Sequence, residues 1–122
     1  MAAPTRKSGP CLSPRLRIIS GRNIAFGPGK AALLDGVAQT GSIGRAAARM
    51  GMSYMRAWSL IQTMNQCFKE PLVLAAHGGH GGGGAELTAT GRKVLDLYHR
   101  MERASARAAA GPWKRMRGLL AG

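Results

Sequence analysis

Carboxylates, aromatic rings and thiols are all scarce in this chain of 122 residues, and each shortage excludes something. Only five acids stand against eighteen Lys and Arg, for a formal net charge of +13. Those acids, Asp35, Glu70, Glu86, Asp96 and Glu102, are scattered along the sequence. They offer no convincing pair for general acid–base work, and no Ser/His/Asp or Cys/His set falls on neighbouring elements. The expectation is a protein that is not an enzyme. Aromatic residues make up 5% of the chain while apolar residues reach 45%, and alanine and glycine supply much of the rest, so any core is thin and helped by burial against a partner. Two widely spaced cysteines, Cys11 and Cys67, read as free thiols rather than a disulfide or a metal site. No apolar run approaches the roughly 20 residues needed to cross a bilayer, and the N-terminus lacks the apolar stretch of a secretory signal. A cytoplasmic, nucleoid-associated location follows as an expectation. The length suits one small domain with extensions.

What is abundant is positive charge, concentrated at the ends. Arg6, Lys7, Arg15, Arg17 and Arg22 occupy the first 22 residues without an acid, and Arg100, Arg103, Arg107, Lys114, Arg115 and Arg117 share the last 23 with Glu102 alone. With a pI near 11.5, this is an electrostatic footprint for a polyanion, nucleic acid being the common one in a cytosol. A solvated, soluble surface is the plainer alternative.

Residues 1–14 mix Pro, Ser, Gly and charge without periodicity and read as a flexible basic arm. The β-branched run Leu16–Ser20 predicts a strand, followed by a loop over Phe26–Lys30. Leu33, Leu34, Val37 and Ala38 then recur at helical spacing up to Gly41, a favoured helix terminator. This first helix carries a weakening Gly36. Ser42 is a good N-cap for a short second helix with Ile43, Ala46, Ala47 and Met50 on one face. Gly51 ends it, and Ser53 caps a third helix marked by Ala57, Leu60, Ile61, Met64 and Phe68. Two short helices joined by a tight glycine turn are the signature of a helix-turn-helix, although a helical hairpin in another all-α protein shares much of the pattern. After Pro71, LVLAA and AELT read as two strands around the glycine run Gly78–Gly84, a wing whose glycines allow close approach to a surface or simply connect. A capping Thr then opens a fourth helix with Val94, Leu95, Tyr98, Met101 and Ala104 in one stripe, ended by Gly111 and Pro112. The order predicts a mostly α winged helix-turn-helix with a small β wing. It spans residues 15–88, with a long helix over 89–110 and a basic tail over 111–122.

Residues Thr40–Trp58 (TGSIGRAAARMGMSYMRAW), Met64–Gln66, Pro71–Val73, Gly78–Gly91 (GGHGGGGAELTATG) and Leu95–Arg103 resemble the N-terminal DNA-binding domain of the ModE-type molybdate-responsive regulators, with LysR-type regulators as more distant kin. The resemblance covers roughly residues 26–104 and implies a dimer on a palindromic operator, the second motif helix in the major groove and the wing beside it. It also implies regulation of transcription, as repressor or activator. ModE-type regulators continue into molybdate-binding domains, whereas this sequence ends soon after the fourth helix, so no effector, cofactor or metal is expected within it. The wing departs from the family pattern as well, with Ala75, Ala76, His77 and His80 where basic residues are usual.

In winged-helix geometry the N-terminal part of the third helix meets base edges, which assigns readout to Ser53, Tyr54, Met55, Arg56, Ser59 and Gln62. Arg56 suits a guanine, Met55 a thymine methyl, and Tyr54 and Ser59 a phosphate or base. Ser42, Arg45 and Arg49 on the second helix are expected to hold the DNA backbone, and His77, Gly78, Gly79, His80 and Gly81 to form the wing contact. His77 and His80 are a weak metal pattern without Cys or acidic partners. Trp58 reads as core. The stripe of Val94, Leu95, Tyr98 and Met101 either covers its own domain or pairs with a second copy, and the helix length favours pairing, since about 20 helical residues span about 30 Å. The partner expected is double-stranded DNA, with no membrane. The rival to an autonomous, sequence-specific homodimeric regulator is a sequence-tolerant architectural binder, or a partner subunit of a full-length regulator.

Overall fold

The structure, a computed structural model, describes residues 9–75 and 84–121. Its elements run β1 (Ile18–Ser20), β2 (Asn23–Phe26), α1 (Pro28–Thr40), α2 (Ile43–Arg49), α3 (Tyr54–Cys67), β3 (Val73–Ala75), β4 (Ala85–Leu87) and α4 (Ala89–Arg117). The winged helix-turn-helix expected from the sequence is present. What the periodicity did not reveal is β2. It pairs antiparallel with β1, Ile19 opposite Ile24 and Ser20 opposite Asn23, and its four residues are too few to show an alternation.

Local chemistry fixes each helix boundary in the helix-turn-helix. Pro28 opens α1, where its missing N–H costs nothing, and Gly41 closes it with its amide donating to the Val37 carbonyl at 2.7 Å. Ser42 and Ser53 cap α2 and α3, their hydroxyls accepting the amides of Arg45 and Arg56, each at 3.1 Å. Between those two helices Gly51 adopts φ +68°, a conformation that a Cβ would strain. The turn is therefore built on the one residue type that takes it freely.

The core gathers Phe26, Leu33, Leu34, Val37, Ile43, Ala46, Ala47, Ala57, Ile61, Met64, Leu72, Val73, Leu87, Leu95 and Tyr98, with Met50, Trp58, Leu60, Phe68 and Val94 packed at its edge. Trp58 thus packs against the core, as its place beside Ala57 implied, whereas Ala38 is exposed. Small residues decide how closely α1 and α2 cross: a Cβ on Gly36 would lie 2.8 Å from the Ala46 Cβ. Gly36, a weakness on propensity alone, is what the crossing requires.

A polar latch holds the wing against the helices. The Asn65 carboxamide oxygen accepts the Leu72 amide at 2.8 Å and the Val73 amide at 3.3 Å, while its nitrogen donates to the Val73 carbonyl at 3.2 Å. Thr88 caps α4 by accepting the Gly91 amide at 2.9 Å, and its hydroxyl donates to the Pro71 carbonyl at 2.7 Å. β3 and β4 pair antiparallel with Val73 opposite Leu87.

Two expectations for α4 are corrected. Gly111 and Pro112 do not end it. The helix continues to Arg117, because Gly111 is not among the glycines with positive φ and Pro112 removes only one N–H. The Ala108 carbonyl that loses this donor lies on an exposed stretch, where solvent can satisfy it. The basic tail placed at 111–122 therefore begins inside the helix. The second correction concerns the proposed dimer stripe, half of which belongs to the domain itself. Leu95 is 8% and Tyr98 2% exposed, and the Tyr98 hydroxyl donates to the Leu16 carbonyl at 2.8 Å.

Candidate nucleic-acid interface

The N-terminal half of α3 has two faces of different character. Ala57, Ile61 and Met64 seat it in the core; Met55, 69% exposed, lies on the opposite side, and Tyr54, 52% exposed, flanks the core side toward α2. Ser59 is exposed and Gln62 half-buried on the Met55 side, and Arg56 is exposed on the flank away from Tyr54. Large apolar side chains left in water near a cation mark a surface prepared for contact. The Tyr54 ring leans over the start of α2, where a Cβ on Gly44 would sit 3.8 Å from its Cδ1.

The root of the wing is tied to the α1–α2 turn. The Ala85 amide donates to the Gly41 carbonyl at 2.9 Å, which sets β4 beside the turn that precedes Ser42. The Ser42 hydroxyl is committed to its own helix, and Arg45 is exposed one turn further on. Arg49 departs from the expected pair. Its guanidinium donates to the Gln39 side chain of α1 at 2.9 Å, so it lies toward α1 while Arg45 does not share that partner. Ser53 likewise spends its oxygen on capping Arg56. His77, Gly78, Gly79, His80 and Gly81 lie outside the described residues.

One cluster was not predicted from the sequence. His99 Nε2 lies 3.0 Å from Asp35 on α1, and its Nδ1 lies 2.9 Å from Glu102 one turn along α4. Carboxylates only accept, so both ring nitrogens must donate, and the arrangement selects the imidazolium. The hydrogen bond donated to Glu102, then the charge of Asp35 and the hydrogen bond donated to it, outweigh partial burial and hold the His99 pKa above its ordinary 6.5. An imidazolium held on both sides is a clasp between helices rather than a general base. It borders an open groove of about 560 Å³ between α1, α2 and α4 that Gln39 and Arg49 also line. The neighbouring Tyr98 phenol is pushed up, mainly by burial and then by the charge of Glu102. Only the 99–102 spacing hinted at this cluster, since Asp35 is 64 residues away.

Comparison with known proteins agrees with this geometry. The family model for the bacterial regulatory helix-turn-helix protein, lysR family, matches residues 30–92. The chain belongs to that family. Within it, the resemblance to ModE-type proteins holds. The molybdenum-pterin-binding protein MopB of Rhodobacter capsulatus is 44% identical over 77 residues, 63% of this chain and 28% of its own length. The DNA-binding transcriptional dual regulator ModE of Escherichia coli K12 is 45% identical over 71 residues, 58% of this chain and 27% of its own. The molybdenum transport protein ModE of Azotobacter vinelandii is 44% identical over 70 residues, 57% and 26% respectively. The match thus spans little more than a quarter of these relatives. Among solved structures, the DNA-binding domain of CbnR, determined as a complex with DNA, superposes with a TM-score of 0.54 at 24% identity, covering 73% of this chain and 94% of that one. At that identity it shows a shared fold. No helix among the described residues is long and apolar enough to cross a membrane.

Proposed function

We propose that this chain is a sequence-specific, double-stranded-DNA-binding transcriptional regulator that inserts the start of α3 into the major groove. The observation that carries the reading is the exposed set Tyr54, Met55, Arg56 and Ser59 on a helix locked into the core. In this reading Arg56 reads a base, Met55 and Tyr54 supply apolar and aromatic contact, and Arg45 with the capped start of α2 holds phosphate. The net charge of +13 supports attraction to the duplex, and the Escherichia coli relative, a DNA-binding transcriptional dual regulator, points the same way. The activity needs no catalytic group and belongs in the cytoplasm, at the nucleoid. A homodimer is proposed through α4, with Val94, Leu97 and Met101 at its contact in place of the buried Leu95 and Tyr98. Two-fold symmetry would set the two α3 helices one DNA turn apart, about 34 to 36 Å, or a multiple of it.

Genome-wide selection of fragments bound by the purified chain at physiological salt, with and without molybdate, tests this. A shared palindrome among the recovered fragments supports the reading. Featureless recovery overturns it in favour of sequence-tolerant binding, and a molybdate effect would reveal an oxyanion site in the chain.

A further inference from the structure

The C-terminal half of α4 leaves the domain. Its buried residues, Gly91, Leu95 and Tyr98, all precede residue 99, and every residue from Arg103 to Arg117 is exposed or half-exposed. The last acid in the sequence is Glu102, so Arg103, Arg107, Lys114, Arg115 and Arg117 follow with no carboxylate among them. The spacing is ordered. Arg100, Arg103, Arg107, Lys114 and Arg117 recur at intervals of three, four, seven and three residues, which at 3.6 residues per turn draws one stripe about 25 Å long. Tyr98, Ser105 and Ala109 fall in the sector facing the domain, while Met101, Ala104 and Ala108 fall in a third. The stripe therefore competes neither with the core nor with the proposed dimer contact. Among the described residues Arg100 alone of the five has a carboxylate near it, Asp96 at 3.8 Å, both groups well solvated. Neighbouring like charges at these spacings destabilise a bare helix, and a polyanion would relieve them.

We propose that this stripe is a second nucleic-acid surface, separate from α3, that grips the sugar–phosphate backbone of a duplex without reading bases. The inference rests on the DNA-binding reading above and adds to it where the non-specific affinity comes from. Four of the five cations are arginines, whose forked donors match phosphate oxygens two at a time. The stripe has no aromatic anchor or pocket of the kind that protein partners fill. The adjoining sector of Ala104, Ala108 and Gly111 offers too little apolar surface to lie in a bilayer interface.

The test is the salt dependence of binding to a random-sequence duplex by the full chain and by a variant combining Arg103→Gln, Arg107→Gln, Lys114→Gln and Arg117→Gln. Glutamine keeps helix propensity, and circular dichroism with a melting curve shows whether the fold is retained. Each phosphate contact contributes about 0.9 to the slope of log K against log salt, so the slope should fall by about 2 to 4 and the affinity at physiological salt by more than tenfold. Should that variant melt early, Arg107→Gln with Lys114→Gln alone should lower the slope by about 1 to 2. Arg103→Lys, Arg107→Lys and Arg117→Lys together should leave it near the parent value. An unchanged slope in a folded variant overturns the inference, as does tighter binding of the parent to phosphatidylserine vesicles or polyglutamate than to the duplex. If the slope holds while Arg56→Ala still loses base discrimination, the inference alone fails. If the parent binds no duplex at all, both readings fail.

Discussion

Substitution of Gly36 by Ala isolates the energetics of the α1–α2 crossing on which the reading head is built. The added Cβ would stand 2.8 Å from the Cβ and 3.2 Å from the Cα of Ala46, itself wholly buried. Neither partner has a rotamer through which to escape, so the helices must separate by several tenths of an ångström to restore ordinary contact. Overpacking of this kind costs about 1 to 3 kcal/mol, while replacing a mid-helix glycine returns up to about 1 kcal/mol of helix propensity. The net expectation is a loss of about 0.5 to 2 kcal/mol, read as a fall in Tm of several degrees for a domain of this size. The decisive arm is a double-mutant cycle. Ala46→Gly alone should also destabilise, through propensity and lost contact, yet in the Gly36→Ala background it makes the room that the new methyl needs. The two effects should then fall short of additivity by about 1 kcal/mol or more. A Gly36→Ala protein that melts at or above the parent temperature, or a strictly additive cycle, refutes the close-approach argument and returns Gly36 to a residue tolerated rather than required.

The α3 face predicts that Arg56→Ala costs about 1 to 3 kcal/mol at one base position, measured by titrating single-base operator variants. An equal loss on every sequence would contradict base readout. The wing latch predicts that Asn65→Ala, which strips three backbone groups of Leu72 and Val73 of a partner, destabilises by about 1 to 3 kcal/mol. A denaturant midpoint equal to the parent's would show that water replaces it. For His99, the folded pKa lies above the unfolded one, so its contribution is fully present below about pH 6.5 and is lost as pH rises through the higher folded value. With both partners about a third exposed, that contribution is a fraction of a kcal/mol. The direct measurement is therefore the ring's NMR titration, which should fall toward the ordinary value in Asp35→Asn. A midpoint already at or below 6.5 in the parent would refute the clasp.

Much of the architecture was legible because it is periodic or locally capped. The stripes of α2 and α3, the serines at 42 and 53 and the glycine at 51 each state their structure within a few residues, and Tyr54, Met55, Arg56 and Ser59 suggest a contact surface by being large, polar or cationic at positions outside the core stripe. What was illegible depends on distance in sequence. β2 is a strand only because β1 turns back on it, and Gly36 looks like a defect until Ala46 is set against it. Asp35 and His99 are unremarkable in isolation, and become a pair because α4 crosses α1. The run through Gly111 and Pro112 failed for a different reason. Both residues disfavour helix without forbidding it, and an exposed helix flanked by Ala108–Ala110 and Trp113–Arg117 absorbs one missing hydrogen bond.

The shortage of aromatic residues carries a structural consequence for how such a domain could read a two-fold site. Three of the six rings converge at one point: Phe26 meets Tyr98 edge-on at 5.1 Å and Phe68 at 6.2 Å. Phe26 ends the β1–β2 hairpin, Phe68 caps the end of α3, and Tyr98 projects from α4 with its hydroxyl on Leu16. The direction in which α4 leaves the domain is therefore set by the same cluster that terminates the reading helix, and the His99 clasp secures α4 from its other side onto α1. If two copies join through α4, the separation of their α3 helices is determined by these two fastenings rather than by the dimer contact alone. A thin core can tolerate looseness elsewhere. At this junction a rotation of a few degrees would be carried along the lever of α4 into a misfit with the helical repeat of DNA, and the chain places its bulkiest buried side chains there.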